Sequence, residues 1–196
     1  MSYCIREDYT PRLDNEPSDE RGKLDECQDD VYAAARKLAE ENSLMSVVDV
    51  GTGGGYKLMK YFNDVRTLGL DLEPNVSWLK DKMPDREWAE VPLSESAPGF
   101  DLLICADVIE HLVDPDELLG FIERSKPKFA IVSTPNRDNL LECFAAGPPR
   151  NTCHVREWSS AEFAEYLGQR FEILSHTYPD PARRDVSTMW VIMKCR

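Results

Sequence analysis

The stretch VVDVGTGGGYKLMKYF, residues 47–62, decides the fold because it joins a strand pattern to a helix pattern through four glycines. Its β-branched apolar start predicts a buried strand, and the apolar spacing after Tyr56 predicts a helix. Glycines at such a turn permit backbone conformations that other residues avoid, and they leave room beside the backbone. The stretch therefore predicts a strand–loop–helix unit whose loop approaches a ligand closely.

The spacing of these glycines excludes two common phosphate-binding loops. A P-loop requires GxxxxGK[ST], and a dinucleotide fingerprint requires GxGxxG, in which Tyr56 occupies the place of the third glycine. The pattern that fits is DxGxGxG, formed by Asp49, Gly51, Gly53 and Gly55. Its carboxylate would repel a pyrophosphate but suits an amine or a hydroxyl. The loop therefore predicts a ligand whose nearest groups are not phosphates.

The rest of the chain alternates between predicted strands and helices. The predicted helices are residues 24–41, 56–62, 76–82, 108–125 and 159–167, and the predicted strands are residues 46–51, 65–72, 86–93, 100–106, 127–135, 170–180 and 185–195. Alternation favours a doubly wound, Rossmann-like α/β fold with a seven-stranded, mostly parallel sheet. Because a short turn (179–184) joins the last two strands, the sheet should contain an antiparallel C-terminal strand. The segment 136–158 has no clear pattern.

Length and composition predict one globular domain, residues 24–196, preceded by an acidic N-terminal arm or lid, residues 1–23. Among the first 30 residues, ten acidic side chains outnumber four basic ones. This arm is either a solvated extension or a lid whose Tyr3, Tyr9 or Arg12 touches the substrate. Gly51, Asp71, Asp107 and Pro135 end predicted strands, where ligands of such sheets bind.

Charge and cysteine usage restrict the partners and the compartment. The net charge of −13, without a cluster of basic and aromatic residues, makes nucleic acid an unexpected partner. No apolar run is long enough to cross a bilayer, and the N-terminus lacks the pattern of a signal peptide. The six cysteines are scattered without a CxxC pair, which is typical of reduced thiols. We therefore expect a cytoplasmic protein without a membrane partner.

Four segments resemble the class I S-adenosylmethionine-dependent methyltransferases in order and spacing. They are VVDVGTGGG, GLDLEP, FDLLICADVIEHL and FAIVSTPN, which span residues 46–136. The resemblance implies S-adenosylmethionine as cofactor, with Asp49 beside its methionine moiety, Asp71 on the ribose hydroxyls and Leu72 beside the adenine. The cofactor-binding residues implied are Asp49, Gly51, Thr52, Gly53, Gly55, Asp71, Leu72, Trp88, Ala106 and Asp107.

Trp88 is a special case within this set. It stands where an acidic residue that binds the adenine amine is commoner in the family. Trp88 either stacks on the adenine or belongs to the core, and Glu90 is a weaker candidate for contact with the amine.

The segment ADVIEHL contains the first candidates for catalysis. Asp107, Glu110 and His111 stand at i, i+3 and i+4, which places them on one face of a predicted helix. Two carboxylates and an imidazole can bind a divalent metal such as Mg²⁺, act as a metal-free base through His111, or be structural. Methyltransferases of the ubiquinone pathway and of small-RNA ends have Glu-x-x-Glu-His here, and Asp107 replaces the first glutamate.

The segment HVREWSSAEF contains the second group of candidates. The resemblance to small-RNA methyltransferases implies that His154 completes the metal site with Asp107, Glu110 and His111. In the alternative interpretation, Glu157 and Trp158 only fix the start of the following helix.

These observations predict an enzyme that methylates a small-molecule acceptor, most favourably at oxygen. The candidate catalytic residues are His111, Asp107 and His154. Two alternatives stay open: a metal-dependent RNA 2′-O-methyltransferase, and a catalytically silent protein that binds S-adenosylmethionine or a partner protein.

Overall fold

The structure, a computed structural model, describes Arg6, Tyr9 and residues 28–139, 148–178 and 188–195. The strands are β1 (Ser46–Val50), β2 (Arg66–Leu70), β3 (Glu87–Ala89), β4 (Leu102–Ala106), β5 (Phe129–Pro135), β6 (Glu172–Thr177) and β7 (Thr188–Lys194). Within the described residues they form one seven-stranded sheet in the order β3-β2-β1-β4-β5-β7-β6. Neighbouring strands are parallel, except that β7 is antiparallel to β5 and β6. The predicted fold is confirmed.

Helices cover both faces of this sheet. They are α1 (Asp29–Glu41), α2 (Tyr56–Phe62), α3 (Asn75–Lys82), α4 (Asp116–Ser125) and α5 (Ser160–Gly168). Successive side chains of a strand point to opposite faces. In β4, Leu102 and Ile104 pack with α1, α2 and α3, whereas Leu103 and Cys105 pack with α4 and α5. Burial on both faces explains why the central strands are continuous apolar runs.

The helix predicted over residues 108–125 is wrong in its first half. Ile109–His111 forms a single 3₁₀ turn, and α4 begins only at Asp116. Asp107, directly after β4, lies in the left-handed region, with φ of 53°. Pro115 then disfavours helical conformation at the preceding residue, although it fits well at a helix start. The single helical face predicted for Asp107, Glu110 and His111 is therefore not formed.

The start of α5 agrees with the sequence. Ser159 caps the helix: its Oγ accepts a hydrogen bond from the Glu162 amide at 3.3 Å, and Glu162 accepts one from the Ser159 amide at 2.9 Å. Three predicted features lie wholly or partly outside the described residues. They are the final turn (179–184), part of the segment 136–158, and the N-terminal arm apart from Arg6 and Tyr9. None of the described helices is long and apolar enough to span a membrane.

Trp88 is a core residue, the second of the two predicted alternatives. Its side chain is buried, and the indole Nε1 donates a hydrogen bond to the carbonyl of Met83 at 2.9 Å. The ring lies so close to Gly55 that a Cβ there would approach it to 2.7 Å. At Gly69, the penultimate residue of β2, a Cβ would overlap the same ring. These two glycines therefore make room for the indole.

We predict that Gly69→Ala lowers the free energy of unfolding by about 1–3 kcal/mol, because neither the β2 backbone nor the buried ring can move away cheaply. Urea denaturation measures this difference. The control is Gly120→Ala in α4, where the new methyl meets only the flexible end of Arg124 and alanine favours the helix. Equal stability of Gly69→Ala and wild type would contradict the packing described for Trp88.

Candidate functional site

A cavity of about 320 Å³ lies at the carboxyl ends of the parallel strands. Its wall consists of Tyr9, Gln28, Val50, Gly51, Leu70, Asp71, Leu72, Val91, Leu93, Ala106, Asp107, Val108, His111 and Leu112. The predicted site residues in this wall are Gly51, Asp71, Leu72, Ala106, Asp107 and His111. Parallel pairing of β1, β2 and β4 brings these residues to one edge of the sheet, as expected for an open α/β sheet.

The glycine loop is held by side-chain contacts from the next strand and helix. Gly51, Gly53 and Gly55 all have left-handed backbones, with φ of 75°, 55° and 71°. The Gly53 amide donates to Asp71 Oδ2 at 2.7 Å, and its carbonyl accepts from Asn75 Nδ2 at 2.7 Å. Asp71, predicted to bind ribose, therefore also orders the loop.

The three predicted cofactor glycines serve different purposes. A Cβ at Gly51 would overlap the side chain of Val108, and one at Gly55 would press on Trp88. Around Gly53 a Cβ would meet nothing within 4 Å, so this glycine borders open space. Gly51, which lines the cavity, and Gly55 are therefore required by packing within the protein, whereas Gly53 is not.

Asp49 has an unpaired oxygen beneath this loop. The carboxylate is fully buried, and Oδ2 accepts a hydrogen bond from the Tyr32 hydroxyl at 2.9 Å. Within the described residues, Asp49 Oδ1 and Thr52 Oγ1 are buried without a hydrogen-bond partner. Burial raises the pKa of Asp49 to about 7, and the nearby hydroxyls of Thr52 and Tyr32 oppose this rise. An unpaired buried carboxylate oxygen fits a ligand that donates a hydrogen bond or carries positive charge.

The opposite end of the wall is apolar. Leu72 follows β2, and Val91 and Leu93 follow β3, so the three side chains meet beside the glycine loop. Val91 and Leu93 were not predicted from the sequence. Trp88 and Glu90 were candidates instead, and neither of them lines the cavity. The signal was the pair of apolar residues directly after the short strand β3. This surface suits a flat, apolar ring such as adenine.

Three predicted residues form a compact group, the Glu-His-His cluster: Glu110, His111 and His154. Each offers one ligand atom, and these atoms all lie within 4.8 Å of one another. His111 Nδ1 lies 2.6 Å from the carbonyl oxygen of Cys153, and His154 Nδ1 lies 2.8 Å from Glu157 Oε1. Because a carbonyl oxygen only accepts, Nδ1 of His111 carries the proton and Nε2 offers the lone pair.

Asp107 does not join the Glu-His-His cluster, contrary to its prediction as a metal ligand. Its carboxylate accepts hydrogen bonds from Ser133 Oγ at 2.7 Å, Thr188 Oγ1 at 3.0 Å and Gln28 Nε2 at 3.3 Å. Burial raises the pKa of Asp107, and these hydrogen bonds oppose the rise. The left-handed turn at Asp107 directs the carboxylate toward β5 and β7, while the residue still lines the cavity.

Buried carboxylates lie in and around the Glu-His-His cluster. Glu110 is almost completely buried, and Thr134 Oγ1 donates to its Oε2 at 3.3 Å. Burial, together with the nearby carboxylates of Asp107 and Glu157, raises the pKa of Glu110 well above its usual range. Closely spaced buried carboxylates are stabilised by protons or by a cation. One carboxylate and two imidazoles form a donor set that binds divalent metals.

Two described residues of the N-terminal arm reach this region. The Arg6 amide donates to the carbonyl of Val155 at 2.7 Å, and its guanidinium donates to the carbonyl of Pro149. Tyr9, three residues later, lines the cavity. The arm therefore contacts the segment that carries His154 and supplies part of the cavity wall.

Known protein families and solved structures match this chain. The methyltransferase-domain family matches residues 23–177. A small RNA 2′-O-methyltransferase of Rattus norvegicus is 37% identical over 75 residues, covering 36% of this chain and 18% of the relative. One from Mus musculus is 26% identical over 159 residues, covering 67% of this chain and 39% of the relative. The chain thus spans less than half the length of these curated relatives.

Solved structures share the architecture at low sequence identity. The methyltransferase domain of bacterial CtHen1-C superposes with a TM-score of 0.62 at 22% identity, covering 86% of this chain and 98% of that one. The N-methyltransferase NodS from Bradyrhizobium japonicum, with bound S-adenosyl-L-homocysteine, gives a TM-score of 0.64 at 14% identity, covering 91% and 93%. Because NodS is by name an N-methyltransferase and the curated relatives are 2′-O-methyltransferases, the fold leaves the acceptor atom open.

We predict that Asp49→Asn weakens binding of S-adenosylhomocysteine but raises stability at pH 8. The buried carboxyl has a pKa of about 7 in the folded protein, against about 3.9 when unfolded. Between these values the folded state keeps a proton that the unfolded state releases, so wild type loses stability as pH rises from about 4 to about 7. Asparagine removes this loss, on the order of 3–4 kcal/mol.

Urea denaturation at pH 4, 6 and 8 and calorimetric titration check both effects. The stability difference between Asp49→Asn and wild type should be small at pH 4 and largest at pH 8. A difference that does not change with pH would contradict the raised pKa of Asp49.

We predict that Tyr9→Ala weakens binding of S-adenosylhomocysteine roughly tenfold, because removal of an aromatic wall residue costs about 1.4 kcal/mol of binding free energy. Calorimetric titration measures the affinity. Tyr178→Ala is the matched control, since Tyr178 is exposed and does not line the cavity. Unchanged affinity in Tyr9→Ala would leave the N-terminal arm without a role at the site.

Proposed function

We propose an acceptor and a reaction mechanism for this chain. The chain belongs to the methyltransferase-domain family and is a class I enzyme that uses S-adenosylmethionine. The proposed reaction transfers the methyl group to a hydroxyl oxygen of a small molecule, with a divalent cation held by the Glu-His-His cluster. The observation that carries this proposal is the cluster itself, since His111 belongs both to the cluster and to the cavity wall.

Two residues of the cavity wall and one buried residue beneath the glycine loop fit the methyl donor. Asp71 offers carboxylate oxygens where vicinal ribose hydroxyls would donate, and Leu72 lies on the apolar side expected for adenine. The unpaired Oδ1 of Asp49 would accept from the donor's ammonium group. In this arrangement the donor's sulfonium end would lie toward β4, near Ala106, Asp107 and His111 of the cavity wall.

The reaction needs little covalent help from the protein. The acceptor oxygen attacks the methyl carbon, the carbon–sulfur bond breaks, and its electron pair stays on sulfur as S-adenosylhomocysteine forms. The hydroxyl proton must leave, which is the step that amine acceptors do not always require. This requirement connects a hydroxyl acceptor with the basic and ligating side chains beside the cavity.

The Glu-His-His cluster can meet this requirement in two ways. A divalent cation held by Glu110, His111 and His154 would stabilise the acceptor as its oxyanion. Without a cation, His111 Nε2 would accept the proton, because Cys153 holds the proton of the neutral ring on Nδ1. The excess of buried carboxylates around Glu110 supports the first way, since a cation offsets their charge.

The second candidate is methylation of a ribose 2′-hydroxyl at the end of a small RNA. The names of the curated relatives favour it, and so does a donor set that combines Glu110 with two histidines. The net charge of −13 favours the small molecule, because binding of RNA depends on neutralising its phosphates. Radiolabelled donor offered with small hydroxyl compounds and with RNA oligonucleotides separates the two candidates.

We predict that the wild-type protein binds Mn²⁺ in a calorimetric titration and that His111→Ala and His154→Ala each weaken this binding at least tenfold. Chelator should lower methyl transfer by about 100-fold, and Mg²⁺ or Mn²⁺ should restore it. His176→Ala is the matched control, because His176 lies in β6 away from the cavity wall. Full activity in chelator together with inactivity of His111→Ala would favour the metal-free base.

A further inference from the structure

His154 is held at both ring nitrogens. Nδ1 lies 2.8 Å from Glu157 Oε1, and Nε2 lies 2.9 Å from the side-chain nitrogen of Asn151. Flipping the side-chain amide of Asn151 would lose a hydrogen bond, because its oxygen accepts one from the backbone amide of Cys153 at 3.0 Å. Its nitrogen therefore donates to Nε2, and the ring proton lies on Nδ1, toward Glu157.

Glu157 is well placed to impose this state. Its side chain is only 2% exposed, so the contact with His154 is made in a medium of low polarity. It does not belong to the Glu-His-His cluster. A carboxylate that accepts from one imidazole nitrogen fixes the ring orientation and makes the other nitrogen a stronger donor to a metal.

We propose that Glu157 is a positioning residue for the cation site: it holds His154 so that Nε2 is presented as a ligand. The inference rests on the cation-assisted function proposed above. Because Glu157 occupies Nδ1, a cation would take the place of the Asn151 amide at Nε2. Glu157 thus acts through His154 and touches neither the methyl donor nor the acceptor.

The alternative is that Glu157 only supports the start of α5. Its backbone carbonyl does accept from Arg137 Nη1 at 3.3 Å, but this contact involves no side-chain atom of Glu157. The capping box of α5 is formed by Ser159 and Glu162. The Glu157 carboxylate thus lies 2.8 Å from the histidine and takes no part in the capping box.

Calorimetric titration with Mn²⁺ tests the proposal in Glu157→Gln, which keeps the shape and can accept the same hydrogen bond but removes the charge. We expect about tenfold weaker binding than in wild type. The matched control is Glu165→Gln, the same substitution at an exposed position of α5, which should leave the affinity unchanged. Equal Mn²⁺ affinity in wild type and Glu157→Gln would overturn this inference but not the proposed cation site.

A double-mutant cycle shows whether the effect passes through the histidine. In a His154→Ala background, Glu157→Gln should cause no further loss of Mn²⁺ affinity, whereas the same tenfold loss in that background would overturn the inference. Wild-type protein that takes up no Mn²⁺ would overturn the proposed cation and this inference together.

A metal-free measurement on the wild type keeps the inference testable if Glu157→Gln fails to fold. Nitrogen-15 chemical shifts of the histidine rings distinguish a proton on Nδ1 from one on Nε2. We expect His154 to carry its proton on Nδ1, and a proton on Nε2 would overturn the inference.

Discussion

The carbonyl oxygen of Glu110 joins two segments that are more than forty residues apart in sequence. It accepts hydrogen bonds from the amides of Val155 and Arg156, at 2.8 and 3.4 Å. The side chain of Arg156 adds a hydrogen bond to the carbonyl of Val113 at 2.6 Å. These contacts set the distance between the turn that carries His111 and the segment that carries His154. The contact of His111 Nδ1 with the Cys153 carbonyl, at 2.6 Å, joins the same two segments. Such contacts matter here because neither segment is part of a helix or strand beyond one 3₁₀ turn.

Periodicity and spacing were sufficient to predict the sheet and the helices that cover it. Buried parallel strands are apolar on both faces, and this pattern is visible in β1, β4 and β5 without any knowledge of their partners. The segment after β4 was mispredicted because its acidic and histidine residues have helical spacing. The left-handed backbone of Asp107 decided the outcome, and such a conformation at a residue with a side chain leaves little trace in the sequence.

The site itself was predicted in part. Motifs indicated Asp71 and His111, which line the cavity, and His154, which lies in a cluster with His111. They also indicated Asp49, which is buried outside the cavity wall. The position of Trp88 was open because a tryptophan near a glycine loop fits both a ligand and the core. Only the contacts with Gly55 and Gly69 decide between these, and a contact between distant residues cannot be derived from local spacing.

The buried pair of Asp49 and Tyr32 links ligand binding to solution pH. With a pKa of about 7, the Asp49 carboxyl is roughly half protonated at neutral pH. A ligand ammonium group at Oδ1, as proposed, would favour the ionised form, so its binding would release a fraction of a proton to the buffer. The measured enthalpy of binding will then depend on the ionisation enthalpy of the buffer, and the number of released protons will fall as pH rises above 7. Because Tyr32 belongs to α1, the same equilibrium also couples the charge beneath the glycine loop to the packing of that helix.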